Sequence, residues 1–296
     1  MKMKTIQEKS KLFIVLLFIV ISFTVGCEPQ EKYERTVELS KPAGGCEVVE
    51  AQTKNGDIVY SGNETSDCRV IAKIQARARV METAQRLAEE TKVSLEEADN
   101  KIIVKIEKPD GENKSISVSL DIVGPKQMAV VFVSCNGDIS ARQVSKSVSA
   151  TTTNGDIEAS DIGANAYLMS CNGDIKVNRI NKSITAKTSN GDITISDANG
   201  DSDLVSSNGD IDLFYSAESA DVSNIVMCTS NGDIDLKAPR WDSATVEIST
   251  GNGKINSQFL LNFKGEIKGT GKWVIGDGST KNKLKVSTSN GDIKIY

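Results

Sequence analysis

The string Asn-Gly-Asp-Ile begins at Asn136, Asn154, Asn172, Asn190 and Asn208, each 18 residues after the one before. It returns at Asn55, Asn231 and Asn290, and as Asn-Gly-Lys-Ile at Asn252. A fixed period of this size, rich in turn formers and poor in helix formers, marks stacked coils of β-structure. Three positions after each Asn stand Ile139, Ile157, Ile175, Ile193 and Ile211; five positions after stand Ala141, Ala159, Val177, Ile195 and Leu213. Later in each unit come Ala150, Leu168, Ala186 and Leu204, then Thr152, Ser170, Thr188 and Ser206. Apolar and polar residues alternate, the period of strands with one buried face. Each unit therefore holds two short strands and two corners, and one unit alone could not cover its apolar face. Stacking at about 4.8 Å does so, and residues 133–296 supply roughly nine coils, a rod about 43 Å long. The expected fold is all-β: a β-solenoid, similar to a parallel β-helix, with about 18 residues per coil.

Each letter of the tetrapeptide has a structural task. Strand parity turns the Asn inward at a corner, where its amide can bond to the Asn above and below. Gly supplies the positive φ of a tight bend. Asp turns outward, where its carboxylate can cap free N–H groups, and Ile re-enters the core. Asn136, Gly137, Asn154, Gly155, Asn172, Gly173, Asn190, Gly191, Asn208 and Gly209 are thus read as architecture. The alternative is a calcium site. Asp138, Asp156, Asp174, Asp192 and Asp210 would form a like-charge ladder, repelling by about 0.9 kcal/mol per neighbouring pair even in water. Cations between coils would relieve it. Calcium-binding β-rolls share the 18-residue coil, but here Gly and Asp are adjacent, the half-period corner is irregular, and six oxygen ligands per ion are not evident. The reading assigns no metal, no cofactor and no catalytic residue.

The start of the chain is an address label. Lys2, Lys4, Lys9 and Lys11 precede the apolar run Leu12–Phe23, which ends in Thr24-Val25-Gly26-Cys27. The run is short for a membrane span and has the basic start and small-residue end of a secretory signal. The ending resembles the bacterial lipobox, with Thr24 where Leu is usual, so Cys27 is expected to be lipidated. The parts expected are a lipoprotein-type signal peptide over 1–27, a tether over 28–35, a cap over 36–132 and the solenoid over 133–296. The cap contains strands, a helix at about 81–90 with Met81, Ala84, Leu87 and Ala88 on one face, and a hairpin turning at Asp99-Asn100. The last strand, ending at Tyr296, is expected to stop at the exposed end of the stack.

With a net charge of −5 the chain has no basic footprint for nucleic acid. It contains no histidine, which removes the commonest general base and the commonest zinc ligand. Beyond Cys27 stand Cys46, Cys68, Cys135, Cys171 and Cys228, an odd number. Cys46 and Cys68, the pair close in sequence, are candidates for a disulfide, whereas Cys135 and Cys171 would lie about 10 Å apart, out of bonding reach.

The strand-helix-hairpin start and the recurrent Thr-Ser-Asn-Gly-Asp-Ile corners resemble the bacterial putative-adhesin family of unknown function, and are similar to the head-GIN putative autotransporter-adhesin domains. The resemblance covers most of residues 36–296. It implies a β-solenoid on an exported or membrane-tethered protein and brings no catalytic residues. The expectation is a non-enzymatic lipoprotein of the cell envelope, on the outer membrane or cell surface, held to the membrane by lipid and meeting an envelope protein or glycan. A polysaccharide-active enzyme is the alternative. It needs paired carboxylates in a groove walled by long loops, and the outward row Ser140, Glu158, Lys176, Thr194, Asp212, Asp235 is mixed.

Overall fold

A computed structural model describes residues 30–109, 116–216, 219, 222–239, 241, 243–257, 270–275 and 282–296. The expected signal peptide, with Cys27, lies outside the described residues, as do 259–269 and 276–281. Among the described residues no helix is long and apolar enough to cross a membrane.

The repeat folds as its period dictates. Each coil lays one strand in each of two facing sheets. Val148–Asn154 lies in one, the corner turns, Ile157–Ile162 lies in the other, and Ala166–Asn172 returns to the first. Equivalent strands pair in parallel, with Ile157 beside Ile139 and Ile175, and Asn154 beside Asn136 and Asn172. The isoleucines following each corner form one internal file from Ile58 through Ile139, Ile175 and Ile234 to Ile255, each at most 1% exposed. Burying each contributes about 2 kcal/mol, and no coil achieves that burial without its neighbours.

The described residues hold nine Asn rungs, but only eight of them lie within 133–296, where roughly nine coils are expected, and the ninth is Asn55. The strands Val48–Asn55 and Ile58–Asn63 are a regular rung, beside Ala129–Asn136 and Ile139–Val144. Stacking therefore begins before residue 133, and residues 67–125 are an insertion that closes the end. In one sheet the insertion adds Ile116–Pro125 and Asp67–Ala78, with Glu31–Pro42 outermost. In the other it adds the hairpin Lys92–Ala98 and Lys101–Glu107, turning at Asp99 and Asn100 with φ of 50° and 60°. The first sheet is thus one strand longer at this end, and the helix Met81–Glu90 packs on Glu31–Pro42 and Asp67–Ala78. Ala84, Leu87 and Ala88 of the helix are buried, but Met81 is exposed, because the apolar face starts one turn later. The expected tether is shorter than 28–35, since Glu31 already pairs with Ala78.

The far end holds the larger correction. The last coil in the sequence is not last in the stack. Asn282–Asn290 pairs on one side with Asn224–Asn231 and on the other with Ala244–Asn252, so the chain's end is an interior rung. The outermost strands are Ile255–Ser257 in one sheet and Thr270–Ile275, antiparallel to Ala244–Asn252, in the other.

Candidate functional site

The corners run along one edge of the stack and form three parallel ladders. Each Asn Nδ2 donates to the Oδ1 of the Asn on the rung before, at 2.8–2.9 Å, from Asn136 on Asn55 to Asn252 on Asn290. Eight such bonds link nine residues. Each Asp Oδ1 accepts the backbone N–H of the next rung's Asp, at 2.7–3.1 Å, as Asp156 does from Asp174. The buried hydroxyl two residues before each Asn after the first rung donates to the glycine carbonyl of the preceding rung, as Thr152 does to Gly137 at 3.0 Å. The bend and its ladders account for Thr/Ser, Asn, Gly and Asp together.

Two details differ from the expectation. The asparagines of the repeat are exposed rather than turned inward, so the amide ladder is external. Glycine is required mainly by close approach. Gly137 and Gly191, at φ near 159°, are almost extended, and a Cβ built on Gly173 would lie 2.5 Å from the Gly155 carbonyl carbon. Only a residue without Cβ lets successive corners stack at strand spacing.

The ends of the ladder explain its irregular letters. Before the first rung, Ser119 Oγ accepts the Asp57 N–H at 3.1 Å, in place of a carboxylate. At the last rung Lys254 donates its N–H to Asp292 Oδ1 at 2.8 Å. No described rung lies beyond Lys254, so its side chain has no cap to supply. Asp292 does have one, which explains why the Asn290 coil is interior and the Asn252 coil terminal.

The five candidate calcium-ladder aspartates, Asp138, Asp156, Asp174, Asp192 and Asp210, are thus brought into one file, each committing an oxygen to a backbone N–H. Among the described residues no group of three acidic or thiol side chains is placed to hold a metal ion.

The outer face of the sheet containing Ile157–Ile162 is charged. Its row four residues after each Asn stacks as read from the sequence, with Glu158 beside Ser140 and Lys176, and Asp212 beside Asp235. Ion pairs join Arg142 to Glu158 at 3.6 Å, Lys294 to Asp235 at 3.6 Å, and Arg179 to Asp161. Burial, with the nearby Asp235, Asp210 and Asp192 carboxylates, pushes the Asp212 carboxyl above its usual range. A feature missed from the sequence repeats on this face: Gln143, Asp161, Arg179 and Asp197 take φ of 57–66°, 18 residues apart. Each is an extra residue left out of the parallel register. The signal was available, since Ile139 and Ala141 face inward and so does Val144, a shift of parity that needs a bulge. The opposite face is less charged, with Tyr167 46% exposed between Ser149 and Thr185 of the adjacent rungs.

All five described cysteines are free thiols. Cys68 is fully buried, which pushes its pKa up to about 11, while Cys46 is raised by burial and then by Glu97. The expected bond between them is not formed here.

No curated protein matches the chain. Among solved structures, a putative cell adhesion protein from Clostridium sporogenes is 12% identical, covering 90% of this chain and 99% of that one at a TM-score of 0.30. A putative adhesin from Bacteroides fragilis is 13% identical, covering 88% and 97% at a TM-score of 0.38. One from Parabacteroides distasonis is 12% identical, covering 88% and 97% at a TM-score of 0.45. The family model Toastrack DUF4097 matches residues 163–296, from the second corner of the Asn154 coil to the chain's last strand. This stretch of β-solenoid is similar to the Toastrack DUF4097 domain, and its ladder runs on unbroken to Asn55.

Proposed function

We propose that the protein is a non-enzymatic lipoprotein, anchored through Cys27 outside the cytoplasm, whose solenoid serves adhesion or contact within the cell envelope. The observation that carries the reading is the continuous corner ladder. Nine described rungs, with no insertion between those of Asn136 and Asn208, leave long, flat, polar faces. Such faces suit extended contact, whereas chemistry on a polymer needs a walled groove with paired carboxylates. The basic-apolar start and Gly26-Cys27 support the anchor.

The test joins anchor and contact. Cells expressing the full chain, fed radiolabelled palmitate, are expected to label it, and Cys27→Ser is expected to abolish both label and membrane fractionation. Beads coated with residues 28–296 are expected to bind envelope fractions or host cells more than uncoated beads do. Labelling that survives Cys27→Ser would remove the anchor. Turnover of an acidic or neutral glycan by the purified protein would replace the adhesive reading with the enzymatic one.

A further inference from the structure

The capped end contains a fault in one sheet. Val48–Asn55 pairs with Lys101–Glu107 only from Val48–Lys101 to Ala51–Val104. Beyond Ala51 the two strands part. Each keeps its other neighbour, Val48–Asn55 holding Ala129–Asn136 and Lys101–Glu107 holding Lys92–Ala98. A wedge is left between two facing strand edges, a cleft of about 380 Å³. That lies within the range of ligand pockets. Past the last pair, Ala51–Val104, the next register partners Gln52 and Lys105, then Thr53 and Ile106, border it with no ladder bond between them.

Among the described residues the charges on the cleft are unbalanced. Lys54, Lys105 and Lys108 line it. Lys105 is neutralised by Glu96 at 3.1 Å and Glu107 at 3.2 Å, and the lining Glu50 is held by Lys101 at 3.0 Å. Among the described residues neither Lys54 nor Lys108 has a carboxylate partner. Lys108 is half-buried, its Nζ donating to the Ile116 carbonyl at 3.1 Å. Burial, then the Lys54 charge, holds its ammonium below the usual lysine range. A partly buried cation without a counter-charge is costly, and an anion in the wedge would relieve it.

We propose that this cleft binds a short extended peptide segment carrying carboxylate side chains. Its backbone would continue the interrupted ladder along Gln52 and Ile106, and a carboxylate would lie between Lys54 and Lys108. A strand added to a sheet draws affinity from main-chain bonds and specificity from side-chain pockets. The wedge differs from the free outer edges in offering main-chain partners on two sides. An anionic glycan would satisfy the lysines but not the backbone groups, which is why the peptide is favoured. The site does not depend on the anchor or on adhesion.

The test uses isotope-labelled residues 28–296 and a capped hexapeptide of alternating valine and glutamate, titrated by NMR. Saturable shifts are expected at the amides of Gln52, Lys54 and Ile106. Affinity is expected to fall at least tenfold for the same peptide with glutamine in place of glutamate, and for Lys108→Gln. Should Lys108→Gln fail to fold, Lys54→Glu on the exposed side is expected to weaken binding at least fivefold, while Lys54→Arg retains it. No binding, shifts confined to the outer strand Glu31–Pro42, or equal affinity for the glutamine peptide would overturn the proposal. So would hyaluronate fragments shifting the same amides while the peptide does not.

Discussion

At the residue scale, the corner tetrapeptide is explained by what stands on the rung below. A carboxylate stacked on a carboxylate every 4.8 Å repels by about 0.9 kcal/mol even in water. Yet each Asp accepts an N–H from the next rung, and a hydrogen bond to a charged group contributes about 1.5–3 kcal/mol. The bond outweighs the repulsion, so the ladder does not require a cation. Gly is the least replaceable letter, because its neighbour is a backbone carbonyl that cannot move aside. Gly173→Ala is therefore expected to cost about 3 kcal/mol, the upper range for overpacking. Ser189→Ala, on an exposed neighbouring position, is expected to stay within about 0.5 kcal/mol of the parent. Urea unfolding midpoints check both. An unchanged midpoint for Gly173→Ala would mean that the corners do not approach as closely as the register places them.

At the scale of elements, threading of the last coil makes a prediction that chain order alone would not. Asn282–Asn290 and Ile293–Ile295 stand between the Asn231 and Asn252 rungs, so deleting residues 282–296 removes an interior layer. Amide protection is expected to be lost across 244–257 while it persists from Val148 to Ile211; hydrogen exchange measures this. If 244–257 stays protected, that coil must restack directly on the Asn231 rung. The same coil shows where sequence reading ran out. The period named the two strands per coil and the isoleucine file, and amphipathic spacing placed the helix over 81–90, as found. Every rung offers nearly the same edge to the next, however, so spacing could not order the last two. Lys254 was the clue, since a rung without the carboxylate cannot cap a successor, but its meaning needs the ladder's direction. The site proposed at the wedge was less legible still. Lys54 and Lys108 are 54 residues apart in sequence and meet only because the insertion folds back beside its own rung.

At the scale of the whole molecule, a stack with one repeated contact multiplies whatever each contact contributes, and this separates the cation-free ladder from the calcium reading. An ion bound to the folded chain at a hundredfold excess over its Kd adds about 2.7 kcal/mol per site, which corresponds to several degrees in Tm for a domain of this size. Several equivalent sites along Asp138–Asp210 would raise the shift further, making even weak binding visible. The ladder found here already engages each of those carboxylates with a backbone donor, and no acidic group among the described residues gathers the ligands a calcium ion requires. Thermal melting of residues 28–296 in 2 mM calcium and in excess chelator is therefore expected to agree within about 1 °C. A rise of several degrees in calcium, abolished by Asp174→Asn in a chain that still folds, would show that ions neutralise the file. The stability assigned to the N–H bonds would then belong to the metal.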